Sequence, residues 1–111
     1  MAAFRVTRDV VLLLQVFLTD VREQRYGYEL MKITGFPSGK LYPMLAKLQA
    51  GGWLETEMEQ VDPRVVGRPP RRWYRLSPDG VVRAGREVET LHRQTAPART
   101  RGALRPAGGV A

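Results

Sequence analysis

The sequence predicts a mainly α fold with one small β-hairpin, and three observations carry that prediction. Apolar residues recur at three-and-four spacing over separate stretches, at about 4–22, 26–34, 38–50 and 77–94. The period falls to two only over 53–60 and 71–76. Glycine and proline stand at the junctions: Gly35 and Pro37, Gly51-Gly52, then Pro63, Gly67, Pro69 and Pro70 between the strands, and Pro78 before the last helix.

The 111 residues suit a single domain, small enough that oligomerisation would add to its stability. Eighteen basic residues against 11 acidic give a net charge of +7, and the pI is near 10.6, so a polyanion is the expected partner. There is no cysteine, which excludes disulfides and thiolate metal sites, and His92 is the only histidine; no metal or cofactor and a cytoplasmic location are expected. The longest apolar run, Val10 to Leu18, is broken by Gln15 and is far shorter than the roughly 20 residues a membrane span needs. Asp9 before it and Thr19-Asp20-Val21-Arg22-Glu23 after it do not fit a secretory signal.

The first helix is predicted over about 4–22, capped at Thr7 or Asp9. Val10, Leu13, Leu14, Phe17 and Val21 make one face, and Val11, Leu12, Val16 and Leu18 continue around the cylinder, so little of it can face water. Such a helix needs two apolar partners. One is the helix-turn-helix core, and the other is a further helix or a second copy of the chain.

The stretch from Tyr26 to Leu54 organises the remainder. Over Tyr26 to Thr34, Leu30, Ile33 and Thr34 share one side at helical spacing, and Gly35 stands where a left-handed C-cap would. Phe36-Pro37 breaks the helix. Ser38 is placed to cap the next, in which Leu41, Met44, Leu45 and Leu48 form the apolar face while Lys40, Tyr42, Ala46 and Lys47 point outward. Pro43 lacks a backbone donor and suits a first turn, which puts the start of the regular helix close to it. A short turn followed by a helix that is cationic on its free face is how a helix-turn-helix presents a recognition helix to the major groove. An ordinary helical hairpin has the same spacing.

In the first strand Leu54, Thr56 and Met58 fall on one face and Glu55, Glu57 and Glu59 on the other. In the second, Tyr74 and Leu76 face the core, with Trp73 opposite. The strands are expected to pair as a hairpin. The segment 61–70 between them is too long for a tight turn and should project as a mobile wing. Arg64, Arg68, Arg71, Arg72 and Arg75 cluster from its tip onward. Arg71 and Arg75 suit pairing with the strand glutamates as well as they suit DNA, whereas Arg64 and Arg68 have no acidic partner nearby in this reading.

Ser77-Pro78-Asp79 starts the last helix, with serine at the N-cap, proline in the first position and an acid in the first turn. Val81, Ala84, Val88 and Leu91 then leave a narrow seam that suits a partner helix, namely the first helix of the same or another subunit. Gly85 weakens this helix by roughly 1 kcal/mol relative to alanine. From Thr95 onward Arg99, Arg101 and Arg105 stand among alanine, proline and glycine without an acid, which reads as a disordered basic tail.

No catalytic constellation emerges. Ser38 and Ser77 are the only serines, both at helix starts, and His92 has no nucleophile near it in sequence, so an enzyme is not expected. Gly51-Gly52 lacks the preceding strand and following helix of a phosphate-cradling loop.

The residues also carry a resemblance. The ordered set Tyr26-Gly27-Tyr28-Glu29-Leu30, Ser38-Gly39-Lys40-Leu41-Tyr42-Pro43-Met44-Leu45, Gly52-Trp53-Leu54, Gly67 to Leu76 and Gly80 is similar to the PadR family of bacterial transcriptional regulators, over about residues 8–91, with the Leu41-Tyr42-Pro43 step its most telling part. The resemblance implies a winged helix-turn-helix that dimerises through its first and last helices and usually represses genes, often releasing DNA when a small-molecule effector binds. The single last helix resembles the small subgroup. Lys40 stands where the family commonly has threonine or serine. Some small members hold flat aromatic compounds between tryptophans near the dimer axis; here Trp53 and Trp73 lie in the hairpin instead.

The expected organisation is a winged helix-turn-helix DNA-binding domain over 1–76, a C-terminal dimerisation helix over 77–94 and a basic tail over 95–111. The expected function is that of a dimeric, sequence-specific repressor on double-stranded DNA with an inverted-repeat operator. Helix 38–50 would read the major groove and the wing 61–72 the adjacent backbone or minor groove. Tyr28, Ser38, Lys40, Tyr42 and Lys47 are the groove or phosphate candidates, Arg68, Arg71 and Arg72 the wing candidates, and Val10, Leu14, Phe17, Val81, Ala84, Val88 and Leu91 the dimer candidates. The alternative is a winged-helix interaction module whose basic wing grips an acidic partner protein.

Overall fold

The computed structural model of the chain describes residues 5–95. Helix α1 (Arg8–Thr19) begins where the Thr7 hydroxyl accepts the Val10 N–H at 3.3 Å, which decides between the two caps the sequence offers. It stops sooner than expected, because Asp20 leaves the helix for extended backbone and its carboxylate accepts the Arg22 N–H at 3.2 Å. Val21 therefore lies outside the helix, at the surface. Strand β1 (Arg25–Tyr26), α2 (Gly27–Thr34), α3 (Ser38–Ala50), β2 (Leu54–Met58), the single turn α4 (Pro63–Val66), β3 (Arg72–Leu76) and α5 (Pro78–Thr95) follow. Apart from Thr95, which ends α5, the basic tail expected over 95–111 lies outside the described residues.

The mainly helical architecture with a small sheet agrees with expectation, but the sheet has three strands, in the antiparallel order β1-β3-β2. The expected hairpin pairs Leu54 with Leu76, Thr56 with Tyr74 and Glu55 with Arg75. The added strand β1 sets Arg25 against Tyr74 and Tyr26 against Trp73. It makes β3 central, so Trp73 is buried although it faces away from the core, beneath an Arg75 guanidinium 4.9 Å from its ring centroid.

The core on the other face joins Val10, Leu13, Leu14 and Phe17 of α1 to Leu30 of α2, Leu41, Leu45 and Leu48 of α3, and Leu54, Tyr74, Leu76 and Ala84. The three-and-four spacing of the leucines on α3 thus does what it promised. Helix α5 is capped as expected, with the Ser77 hydroxyl accepting the Gly80 N–H at 2.9 Å and donating to the Gly52 carbonyl at 2.7 Å. The helix packs along α1, with Ala84 fully buried and Val81 partly so.

Four expectations are corrected. Ile33 is 52% exposed, because α2 turns only Leu30 and Gly27 fully inward. The N-cap of α3 is Pro37 rather than Ser38; the Pro37 carbonyl accepts from Lys40 and Leu41, and Ser38 is the first helical residue. Pro43 consequently lies inside α3, beyond its first turn, where its missing donor leaves the Gly39 carbonyl without its usual helical partner. The wing carries its own structure. Asp62 caps α4 by accepting the Arg64 N–H at 2.9 Å, and Gly67 closes it at φ +77°, so 61–70 is no open loop.

Candidate nucleic-acid interface

The turn between α2 and α3 is built from local chemistry. Gly35 takes φ +77°, a left-handed conformation that favours glycine, and donates to the Met31 carbonyl at 2.9 Å. The Thr34 hydroxyl donates to the Leu30 carbonyl at 2.7 Å and accepts the Phe36 N–H at 3.1 Å, which stiffens the corner. The outer face of α3 then carries Lys40, Tyr42, Ala46 and Lys47, all exposed as the spacing predicted, and Ser38 is exposed at its start.

The helices meet at Gly27 and Tyr42. A Cβ on Gly27 would overlap the Tyr42 hydroxyl, so the glycine is what lets the tyrosine of α3 lie against the start of α2. Beside this contact is an open cleft of about 330 Å³, lined by Tyr26, Tyr28, Tyr42, Arg71, Arg72 and Tyr74. The Arg71 guanidinium lies 4.6 Å from the Tyr28 ring centroid, and Arg72 Nη1 donates to the Thr56 hydroxyl at 3.3 Å. The fold therefore brings the start of α2, the free face of α3 and the base of the wing to one place. Arginines steadied on a ring or a hydroxyl beside exposed phenols present hydrogen-bond donors of the kind that phosphate oxygens accept.

The other candidates stand differently. Lys47 has no side-chain partner among the described residues. Lys40 is ion-paired with Asp9 of α1, and its ammonium lies 5.0 Å from the Phe36 ring centroid. Arg68, expected to lack a partner, has one. It donates to both oxygens of Glu59, at 2.7 and 3.2 Å, because the helical turn α4 folds the far arm of the wing back onto the end of β2. Arg75 pairs with Glu55 at 3.2 Å, whereas Arg71 meets Glu59 through its backbone, its N–H donating to the carboxylate at 2.9 Å and its carbonyl accepting the Glu59 N–H at 2.8 Å. Of the dimer candidates, Val10, Leu14, Phe17 and Ala84 are buried in the chain's own core. Val81, Val88 and Leu91 are half-buried.

Sequence reasoning missed Glu59. It appeared as one of three alternating glutamates, yet it ties the two arms of the wing together, accepting from Arg68 and from the Arg71 N–H, and its charge also reaches Tyr26 of β1. Its partners lie on other elements, so no local pattern marks it. The Arg68 guanidinium first, then the Arg71 N–H, hold its carboxyl at about 2. The Tyr26 phenol is pushed up, by burial first and then by this carboxylate. Because the folded-state value lies below the ordinary one of roughly 4.3, the clamp's stabilisation is complete above about pH 4.3 and is lost as pH falls toward about 2. Urea unfolding across that window should show wild type losing stability more steeply than Glu59→Gln. Parallel curves would mean that the clamp does not hold in solution.

The PadR-like transcriptional regulator family profile matches residues 14–86. No curated protein matches the chain at a significant level. Among solved structures, a PadR family transcriptional regulator from Eggerthella lenta is 26% identical with a TM-score of 0.61, the match covering 86% of this chain and 83% of that one. A PadR-like transcription factor from Bacteroides fragilis is 23% identical with a TM-score of 0.63, covering 86% and 93%. A PadR-like transcriptional regulator from Bacillus cereus is 21% identical with a TM-score of 0.60, covering 82% and 89%. The two less similar structures show the shared fold, and the family profile spans the helix-turn-helix, the wing and the start of α5: the chain belongs to the PadR-like family of transcriptional regulators.

Proposed function

We propose that this protein is a dimeric, sequence-specific DNA-binding repressor that lays α3 in the major groove and sets the wing on the adjacent backbone. The observation that carries this reading is the convergence of Tyr28, Tyr42, Arg71 and Arg72 around one open cleft. Tyrosine hydroxyls and arginines there fix the backbone, and the free face of α3 supplies base contacts. Ser38 and Lys40 occupy its first turn, with Lys40 engaged by Asp9. Arg68 serves the wing through Glu59 and lends its remaining donors to the DNA edge.

Dimerisation follows from what one chain leaves uncovered. Leu12 and Ile33, 38% and 52% exposed, border an apolar groove between α1 and α2 together with Val16, and the far end of α5 carries the half-buried Val88 and Leu91. The seam of one copy against the outer side of α1 of the other removes both from water. A twofold axis then spaces two recognition helices by about 34 Å, which calls for an inverted-repeat operator with half-sites one helical turn apart. A small-molecule effector that releases DNA belongs to this reading, its chemistry open.

The salt dependence of DNA binding tests the proposal. With Lys47, Arg71 and Arg72 of both subunits on phosphates, log affinity should fall with log salt at about −0.9 per phosphate, a slope near −5. A slope near zero would remove the DNA reading and favour the acidic-partner alternative.

A further inference from the structure

A lysine in the first turn of a helix stands at its unfavourable end, because the unsatisfied N–H groups there carry partial positive charge. Lys40 is the third residue of α3, so an anion beside its ammonium offsets that end effect. Within the chain that anion is Asp9, whose carboxylate pairs with Lys40 Nζ. Asp9 is also the acid in the first turn of α1, where the same end effect favours it. One carboxylate thus serves two helix starts, and the Phe36 ring, 5.0 Å from Nζ, gives the ammonium a second reason to stay. Lys47, further along the exposed side of α3, has no such partner among the described residues.

We propose that Asp9 is an internal stand-in for a DNA phosphate, which holds Lys40 within the protein and so keeps it from adding a phosphate contact. This rests on the DNA-binding reading and refines the part Lys40 plays in it. Asp9 is then a positioning residue. It sets how strongly the recognition helix grips DNA of any sequence, and it leaves base reading to side chains that are not already paired. A regulator gains from such restraint, because every phosphate contact strengthens binding to the whole genome as much as to the operator.

Four full-length proteins test this: wild type, Asp9→Asn, Lys40→Gln and the double variant, each titrated with a mixed-sequence duplex over a range of salt. Asp9→Asn should release Lys40 to the backbone, steepening the salt slope by about 0.9 for each subunit and tightening low-salt binding severalfold. Lys40→Gln should leave the wild-type slope unchanged, and the double variant should match Lys40→Gln. Asp9→Ser replaces Asp9→Asn should the latter melt before binding can be measured.

Three results overturn the proposal. If Lys40→Gln alone flattens the slope, Lys40 is already on a phosphate in the wild type. If Asp9→Asn tightens binding equally with and without Lys40, Asp9 only repels DNA. If Asp9→Asn leaves a normal wild-type slope unchanged, the ion pair withholds nothing. A slope near zero in all four proteins removes the DNA reading, and this proposal with it.

Discussion

Gly80→Ala is expected to lower the melting temperature by roughly 10 °C or more, although alanine is the better helix former by about 0.8–1.0 kcal/mol. The loss comes from packing. A Cβ on Gly80 would overlap the Trp53 carbonyl oxygen, which is backbone and cannot rotate aside. That oxygen is further fixed by the Ser77 N–H at 2.9 Å, so α5 itself would have to lift off the start of the hairpin. Overpacking of this kind costs typically 1–3 kcal/mol, and an immovable neighbour puts Gly80 at the upper end, well above the gain in propensity. Gly85 of the same helix is the control. A Cβ there meets nothing within 4 Å, so Gly85→Ala should raise the melting temperature by a few degrees. Circular dichroism melts of both variants check the pair, and a Gly80→Ala protein as stable as wild type would mean that α5 does not approach Trp53 this closely.

The second large effect concerns assembly. Replacing both Val88 and Leu91 with aspartate places two charges per chain on the half-buried stretch of α5 beyond Ala84. In a dimer that buries this stretch, each unpaired carboxylate costs several times what the valine or leucine contributed, so the dimer should split. Sedimentation gives the state directly. The split protein should also bind duplex DNA with about half the wild-type salt slope, since one subunit carries half the phosphate contacts. A variant that stays a folded dimer on the same operator would show that this end of α5 faces water and would move the interface to Leu12, Val16 and Ile33.

Local rules made much of the fold legible. The leucines of α3 announced its buried face, Gly35 announced the left-handed corner, Ser77-Pro78 announced the start of α5, and the alternation of Leu54, Thr56 and Met58 announced β2. Each rests on residues within about four positions of one another, where periodicity, capping and turn chemistry act without the rest of the chain. The same rules misjudged Ser38 and Pro43. Both suit a helix start, and only the course of the chain out of the Gly35 corner decided that Pro37 would take the cap.

The sequence by itself therefore determined the mainly helical class, the helix-turn-helix and wing in order, the polyanion-seeking charge and the family, because these are sums over local spacing and composition. Tertiary structure alone decided which charges remain for a partner. Two residues, Arg25 and Tyr26, became a strand only because β3 offered an unpaired edge, and that strand brought Tyr26 to Glu59. Arg68 turned back to Glu59 once α4 had folded, and Lys40 found Asp9 because the fold brings the first turns of α3 and α1 within reach of each other. Coulomb attraction depends on distance in space, and for partners far apart along the chain only the completed packing sets that distance.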